Sequence, residues 1–253
     1  MAATGKFQDQ MRSVLVIVAT IATIAFNGLA AAGLVNGVTP EVISDKYPNI
    51  LTPAGYAFSI WSLIYLGLIA FSIYQALPSQ LERFRGTRTA YITSCLLNCA
   101  WIYFWHQNQI AICFAIIVLL LTTLIFILIR AGCMTTTETW LMQAPFGIYA
   151  GWVTVAAMAN LAVMLAFLDV RMSPTTQNIF AVILILFAAI AAVVVRIKLH
   201  NFFYPLAVAW AITAIAVKQS GNMPIVVSAA IAVVACLITT GSFVVNLRDS
   251  TSE

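Results

Sequence analysis

Charged side chains leave eight long intervals of the chain untouched, and apolar residues fill them. The intervals run approximately from Val14 to Val35, Pro53 to Leu77, Ala90 to Trp105, Ile110 to Ile129, Trp140 to Leu168, Ile179 to Val195, Phe202 to Val217 and Pro224 to Val245. Crossing a hydrocarbon core of about 30 Å takes roughly 20 residues at about 1.5 Å each. Each interval is read as one span, although the third, sixth and seventh are short for the task. A single segment in lipid satisfies its own backbone amides only as a helix, and none of the eight alternates like a barrel strand. The pattern predicts an all-α fold, a polytopic transmembrane helix bundle in a lipid bilayer.

The flanking charges orient it. With eight spans, Lys6, Arg12, Arg83, Arg85, Arg88, Arg130, Arg196, Lys198 and Arg248 share one face, against Lys46, Arg171 and Lys218 on the other. Lys and Arg accumulate on the cytoplasmic side of short loops. The expected product is a multi-pass protein of the cytoplasmic (inner) membrane with both termini in the cytoplasm. The basic lead, apolar stretch and small residues at Ala30, Ala31 and Ala32 imitate a secretory signal, but the apolar run exceeds the usual 7 to 15 residues of such a segment. It is read as a retained first span.

Composition agrees and removes other classes. The chain has 253 residues, of which 62% are hydrophobic and 8% charged, with a mean hydropathy of +1.00. A soluble domain carries about 25% charged residues, and disordered chains are polar or highly charged. A net charge of +4 is too weak for nucleic-acid binding, which needs a concentrated basic patch.

Reactive constellations are missing. Every carboxylate is expected in a tail or loop, which lowers the prospect of a proton-coupled pump with an ionisable residue near the midplane. His106 and His200 stand at helix ends, where an interfacial polar role outweighs haem ligation or proton relay. Lys218 reads as an interfacial lysine. Cys95, Cys99, Cys113, Cys133 and Cys236 read as small buried hydrophobes, and no metal site is expected. No phosphate loop, zinc helix or Ser/His/Asp set is present, so the chain is not read as an enzyme.

The tryptophans carry what chemistry remains. All six lie between residues 61 and 210. Trp140 suits an interfacial belt, whereas Trp61 lies about 12 Å down its helix from Pro53, and Trp152 and Trp210 are also deep in their runs. Residues four apart share a helix face. Trp61 pairs with Tyr65, Trp101 with Trp105, and Trp152, Ala156 and Asn160 form one stripe, while Asn98 lies three residues before Trp101. Such faces suit a cavity with flat apolar walls and a few amides, fit for a planar apolar ligand. The alternative is that the rings fill a bundle core and the asparagines bond across helices. Gly33 with Gly37, and Gly147 with Gly151, are read as sites of close helix packing.

At these residues the chain resembles the TspO/MBR family, the tryptophan-rich sensory proteins and mitochondrial translocator proteins. Pro53-Ala-Gly-Tyr-Ala-Phe-Ser-Ile-Trp61-Ser-Leu-Ile-Tyr65 is similar to its proline, aromatic, Phe, Trp-x3-Tyr signature. Leu97-Asn98-Cys-Ala-Trp101 is similar to its Leu-Asn-x2-Trp element, and Trp152-x3-Ala156-x3-Asn160 to its fifth-helix pattern. The motifs span about residues 10 to 168. Two departures stand out: Ser59 and Ile60 replace a proline just before the Trp, and Pro145 lies seven residues ahead of Trp152 rather than four.

The resemblance implies a five-helix TspO-like domain over residues 1–170, with residues 171–253 as an extension of three further membrane helices. It implies a tetrapyrrole-like ligand, a porphyrin or haem, with no cofactor required, held by Trp61, Tyr65, Asn98, Trp101, Trp152, Ala156 and Asn160 beneath a lid at Asn36 to Thr52. Such proteins act as receptors or carriers and often form a homodimer, and the extra helices offer a surface for a membrane-protein partner. No sterol-type pattern follows the fifth span, so sterol binding is not expected. Two other readings stay open, a structural or assembly protein of the membrane and a facilitative transporter of a small solute.

Overall fold

The computed structural model describes residues 2–132 and 134–250, so Cys133 lies outside the described residues. The described residues form helices α1 (Ala2–Ala31), α2 (Pro40–Ser44), α3 (Ile60–Tyr74), α4 (Arg85–His106), α5 (Ile110–Ala131), α6 (Thr136–Glu138), α7 (Ala144–Phe167), α8 (Pro174–Leu199), α9 (Phe203–Lys218) and α10 (Met223–Ser250). A 3-10 turn, Gly55–Ser59, leads into α3, and a π-helical turn, Thr139–Gln143, joins α6 to α7. Local chemistry sets the ends. Thr135 and Glu138 form a capping box at α6, which satisfies two otherwise orphaned amides. Pro174 opens α8 behind a Ser173 cap, and α5 stops at Gly132 with φ +63°, a left-handed conformation that glycine adopts freely.

All eight predicted intervals are helical. Among the described residues six helices are long and apolar enough to cross a bilayer: Phe7–Ala31, Gly55–Tyr74, Ile110–Ala131, Thr136–Phe167, Pro174–Leu199 and Met223–Gly241. The sixth interval is therefore not short, because α8 continues at both ends to 26 residues. The third interval begins earlier than predicted, at Arg85, and its helix carries too many polar residues to qualify by hydropathy. The seventh remains short, and α9 buries ten of its sixteen residues. Its exposed Leu206, Trp210, Thr213 and Val217 form a single stripe along one face.

The helices pack as two compact units. One comprises the chain up to Tyr47 together with Trp61–Phe146; the other comprises Pro48–Ile60 and the chain from Gly147 onward. The division follows packing rather than sequence order, and it falls within α3 and α7.

In the first unit α1 has its polar residues inward. Asp9, Ser13, Val16, Thr20, Thr23, Asn27 and Ala30 are buried, while Phe7, Met11, Val14, Leu15, Val18 and Ile21 are exposed. The buried positions alternate in steps of four and three, the 3.5-residue period of a left-handed helix seam. Thr20 donates to the Val16 carbonyl at 2.8 Å, leaving its oxygen to accept from Ser72 on α3 and Tyr91 on α4, each at 2.6 Å. Beside this cluster Phe146 packs edge to face on Phe71 and on Tyr91, and Phe71 and Tyr91 meet at a tilt, with centroids 4.9–5.7 Å apart. Gly67 meets Pro145 so closely that a Cβ there would stand 2.9 Å from the ring.

One expectation fails here. Asp9 and Glu138 are not in a tail or loop: both are helical and buried. Burial of a carboxylate requires a partner, and each has an arginine. Arg85 grips both oxygens of Asp9, and Arg83 Nε donates to Glu138 at 2.9 Å. Arg88, with no exposed surface, donates to Gln75 Oε1 at 2.7 Å and to the carbonyls of Leu81 at 2.6 Å and Gln75 at 3.1 Å. Asp9 lies 3.8 Å from its guanidinium.

In the second unit α9 packs against its neighbours on all but one face. Gly147 and Gly151 bring α7 against the start of α9, at Asn201 and at Tyr204 and Ala207 respectively, so this Gly-x3-Gly step does serve close helix packing. Thr154 hydrogen-bonds the Tyr204 hydroxyl at 2.5 Å. Cys236 is buried in this unit; in the first, Cys95 and Cys113 are buried and Cys99 is half-buried.

Candidate ligand-binding site

The first unit holds four of the expected site residues. On α3, Trp61 and Tyr65 stack with centroids 5.5 Å apart and planes 22° from parallel. On α4, Trp101 and Trp105 stack at 5.3 Å and 20°. The four-residue spacing causes both, since it sets two rings one above the other on one helix face. Trp61, Tyr65 and Trp101 are half-buried, whereas Trp105 is buried.

Asn98 is buried, one helical turn before Trp101, and its Oδ1 accepts from Asn27 of α1 at 2.7 Å. Asn27 also donates to the Thr23 carbonyl at 2.9 Å. The sequence reading missed Asn27, although an amide in the middle of an apolar run is the signal that would have found it.

The far end of α4 is clasped by the loop after α1. Trp105 Nε1 donates to the Pro40 carbonyl at 3.1 Å, and Asn36 donates to the carbonyl of His106 at 3.1 Å. The predicted lid segment therefore has a fixed attachment in this unit. His106, expected at an interface, is buried; its Nδ1 lies 2.7 Å from the Ile102 carbonyl.

The second unit holds Trp152, Ala156 and Asn160. Trp152 is 3% exposed and meets Phe58 edge to face, with centroids 5.8 Å apart. Asn160 is buried and donates to the Ala156 carbonyl at 2.9 Å, within its own helix. Here the sequence reading missed Phe58 as a site neighbour and gave Trp210 no partner. Trp210 donates from Nε1 to the Ala57 carbonyl at 3.1 Å and packs edge to face on Tyr56. A cleft of about 80 Å³ opens in this unit between residues 48–50 and the facing ends of α7 and α8, floored by Ala162 and Ala166 beside Gln177 and Phe180. Pockets for drug-sized ligands run to roughly 300–1,000 Å³, so this cleft suits a side group and not a macrocycle.

Flat aromatic faces thus stand on α3, α4 and α7, with Asn98 bonded to α1 and Asn160 to its own helix. The sequence pattern described as TSPO-like protein matches residues 13–243. The chain belongs to the TSPO-like protein family. The family match includes the three C-terminal helices, beyond the stretch of about residues 10 to 168 over which the motifs were found. No curated protein and no solved structure gives a significant match to the chain. Family and helices together make the chain an integral multi-pass membrane protein of the TspO type.

Proposed function

We propose that the chain is a non-enzymatic receptor or carrier that binds a planar, largely apolar ligand of the tetrapyrrole type, a porphyrin or haem, within the membrane. The observation that carries the reading is the pair of near-parallel stacks, Trp61 on Tyr65 and Trp101 on Trp105, whose outer rings stay half-buried. A flat conjugated guest gains from offset stacking on such faces, by about 0.5–1.5 kcal/mol per aromatic pair beyond simple area burial. Asn98, three residues before Trp101, adds an amide beside the aromatic faces of the first unit.

Titration of the purified protein with protoporphyrin IX is expected to quench tryptophan fluorescence saturably. Trp61→Ala and Trp101→Ala should each weaken the affinity by about two- to tenfold, the fold-change that one stacking pair corresponds to. Trp152→Ala is a poorer probe, because its buried ring also supports Phe58. Saturable binding indifferent to both substitutions would remove the site assignment, and no binding would remove the ligand class. Ligand-dependent flux in proteoliposomes separates a carrier from a receptor.

The Asn27–Asn98 bond favours a second reading, a structural or assembly protein whose amides join helices. Native co-purification with a stoichiometric partner and without pigment supports that alternative.

A further inference from the structure

The C-terminal helices have no part in the reading above, yet α9 holds the turn on which the family signature is written. Three ties join them within the second unit. Trp210 Nε1 donates to the Ala57 carbonyl at 3.1 Å. The Tyr56 ring stands edge-on to the Trp210 indole, with centroids 5.4 Å apart at 84°. One helical turn further along α9, the Ala214 carbonyl accepts from the Ala54 amide at 3.0 Å. Trp210 and Ala214 are four apart and so share one face of α9.

The turn needs such support. A 3-10 helix has poorer hydrogen-bond geometry than an α-helix and persists in short pieces only. Pro53, two residues before Gly55, has a nitrogen that donates nothing. The support is itself anchored. Asn201 Oδ1 caps α9 by accepting from Phe203 and Tyr204 at 3.0 and 2.9 Å, and Tyr204 is bound to Thr154 of α7. The same turn presents Phe58 to Trp152, edge to face at 5.8 Å.

We propose that Trp210 is a positioning residue for the ligand site: its indole holds the turn Gly55–Ser59 so that Phe58 fixes the plane of Trp152. The assignment rests on the reading that these aromatic faces bind a tetrapyrrole-like ligand. It gives the C-terminal helices a task in recognition, since Trp210, 153 residues beyond Ala57 in sequence, holds the turn that orients Trp152.

The test uses the full chain in lipid nanodiscs, with protoporphyrin IX as the probe. Trp210→Phe keeps a ring against Tyr56 and deletes the N–H donor. Amide exchange over residues 54–60 is expected to accelerate while that of α7 and α9 stays protected. Affinity should fall about five- to tenfold, the effect of one lost hydrogen bond, and the Soret maximum of the bound pigment should shift. Trp210→His, which retains a ring N–H, should recover most of the affinity. Phe58→Leu should weaken binding by a similar factor and add little on top of Trp210→Phe, as expected for residues acting in series.

A loosened turn with wild-type affinity and an unshifted Soret band would overturn the positioning role, and so would an unchanged exchange pattern. Should the wild-type protein fail to bind the porphyrin, the functional reading falls and the positioning role falls with it, whereas the exchange measurement still reports whether Trp210 holds the turn. The two failures are therefore distinguishable.

Discussion

Replacing Arg88 with methionine is expected to remove most of the stability of the N-terminal unit. The guanidinium is wholly buried and is the common donor to Gln75 Oε1 and to the carbonyls of Gln75, Leu81 and Gln80. Gln75, also buried, passes the connection on by donating to the carbonyls of Ser13 and Ser72 at 3.1 and 3.0 Å. Methionine fills similar volume but leaves these acceptors without a donor and takes one of two arginines from the buried Asp9. Breaking a buried ionic network by removing one partner costs about 3–5 kcal/mol, a large share of a typical folding free energy of about 5–15 kcal/mol. Arg88→Lys should give an intermediate loss, because an ammonium keeps the charge but lacks the planar fork that reaches several acceptors at once. Thermal unfolding in mild detergent, followed by size-exclusion profile, measures both. A methionine variant that melts with the wild type would show that the network does not hold the helices.

The second large effect is expected at Gly151. A Cβ added there would lie 2.5 Å from the Tyr204 carbonyl oxygen and 2.9 Å from the Ala207 Cβ. The first of these atoms belongs to helix backbone and cannot swing aside. Alanine would raise helix propensity by about 1 kcal/mol over glycine, but overpacking of this kind costs about 1–3 kcal/mol, and separating α7 from α9 also strains the Thr154–Tyr204 bond. Gly151→Ala should therefore be net destabilising by up to about 2 kcal/mol. Gly28→Ala is the matched control, because a Cβ there meets nothing within 4 Å and only the propensity gain applies. Equal melting temperatures for the two variants would contradict the close contact of α7 and α9.

The helices were legible because lipid imposes a simple rule. A span must be apolar and long, and each of the eight intervals obeys it well enough to be found. Interior and exterior were not legible in the same way. On α1 most large apolar residues face outward, while Asp9, Ser13, Thr20, Thr23 and Asn27 face inward beside Val16 and Ala30, so a reading that equates apolar with buried misplaces most of the helix. Asp9 was assigned to a tail because nothing in a single sequence shows that Arg85 and Arg88, some eighty residues later, return to meet it.

The candidate site divides along the same line. Spacing of four residues found the stacks Trp61/Tyr65 and Trp101/Trp105, because both members lie on one helix. It could not find Asn27 beside Asn98, Phe58 beside Trp152, or Trp210 over Tyr56, because those meetings depend on which helices pack together. For Trp210 the signal was half present: a large polar-tipped ring deep in an apolar run needs a hydrogen-bond acceptor, and only the fold says that it is the Ala57 carbonyl.

The arrangement of α1 separates two steps of biogenesis. Its outer side supplies the greasiness that lets a nascent segment leave the insertion machinery for the bilayer, and its inner side supplies the directional bonds that later join it to α3 and α4, in keeping with a two-stage view of assembly. Lesions on the two sides should then differ in kind. Outer-side changes would produce chains that never enter the membrane, whereas inner-side changes would produce chains that enter normally and drift there as unassembled helices, open to quality-control proteolysis.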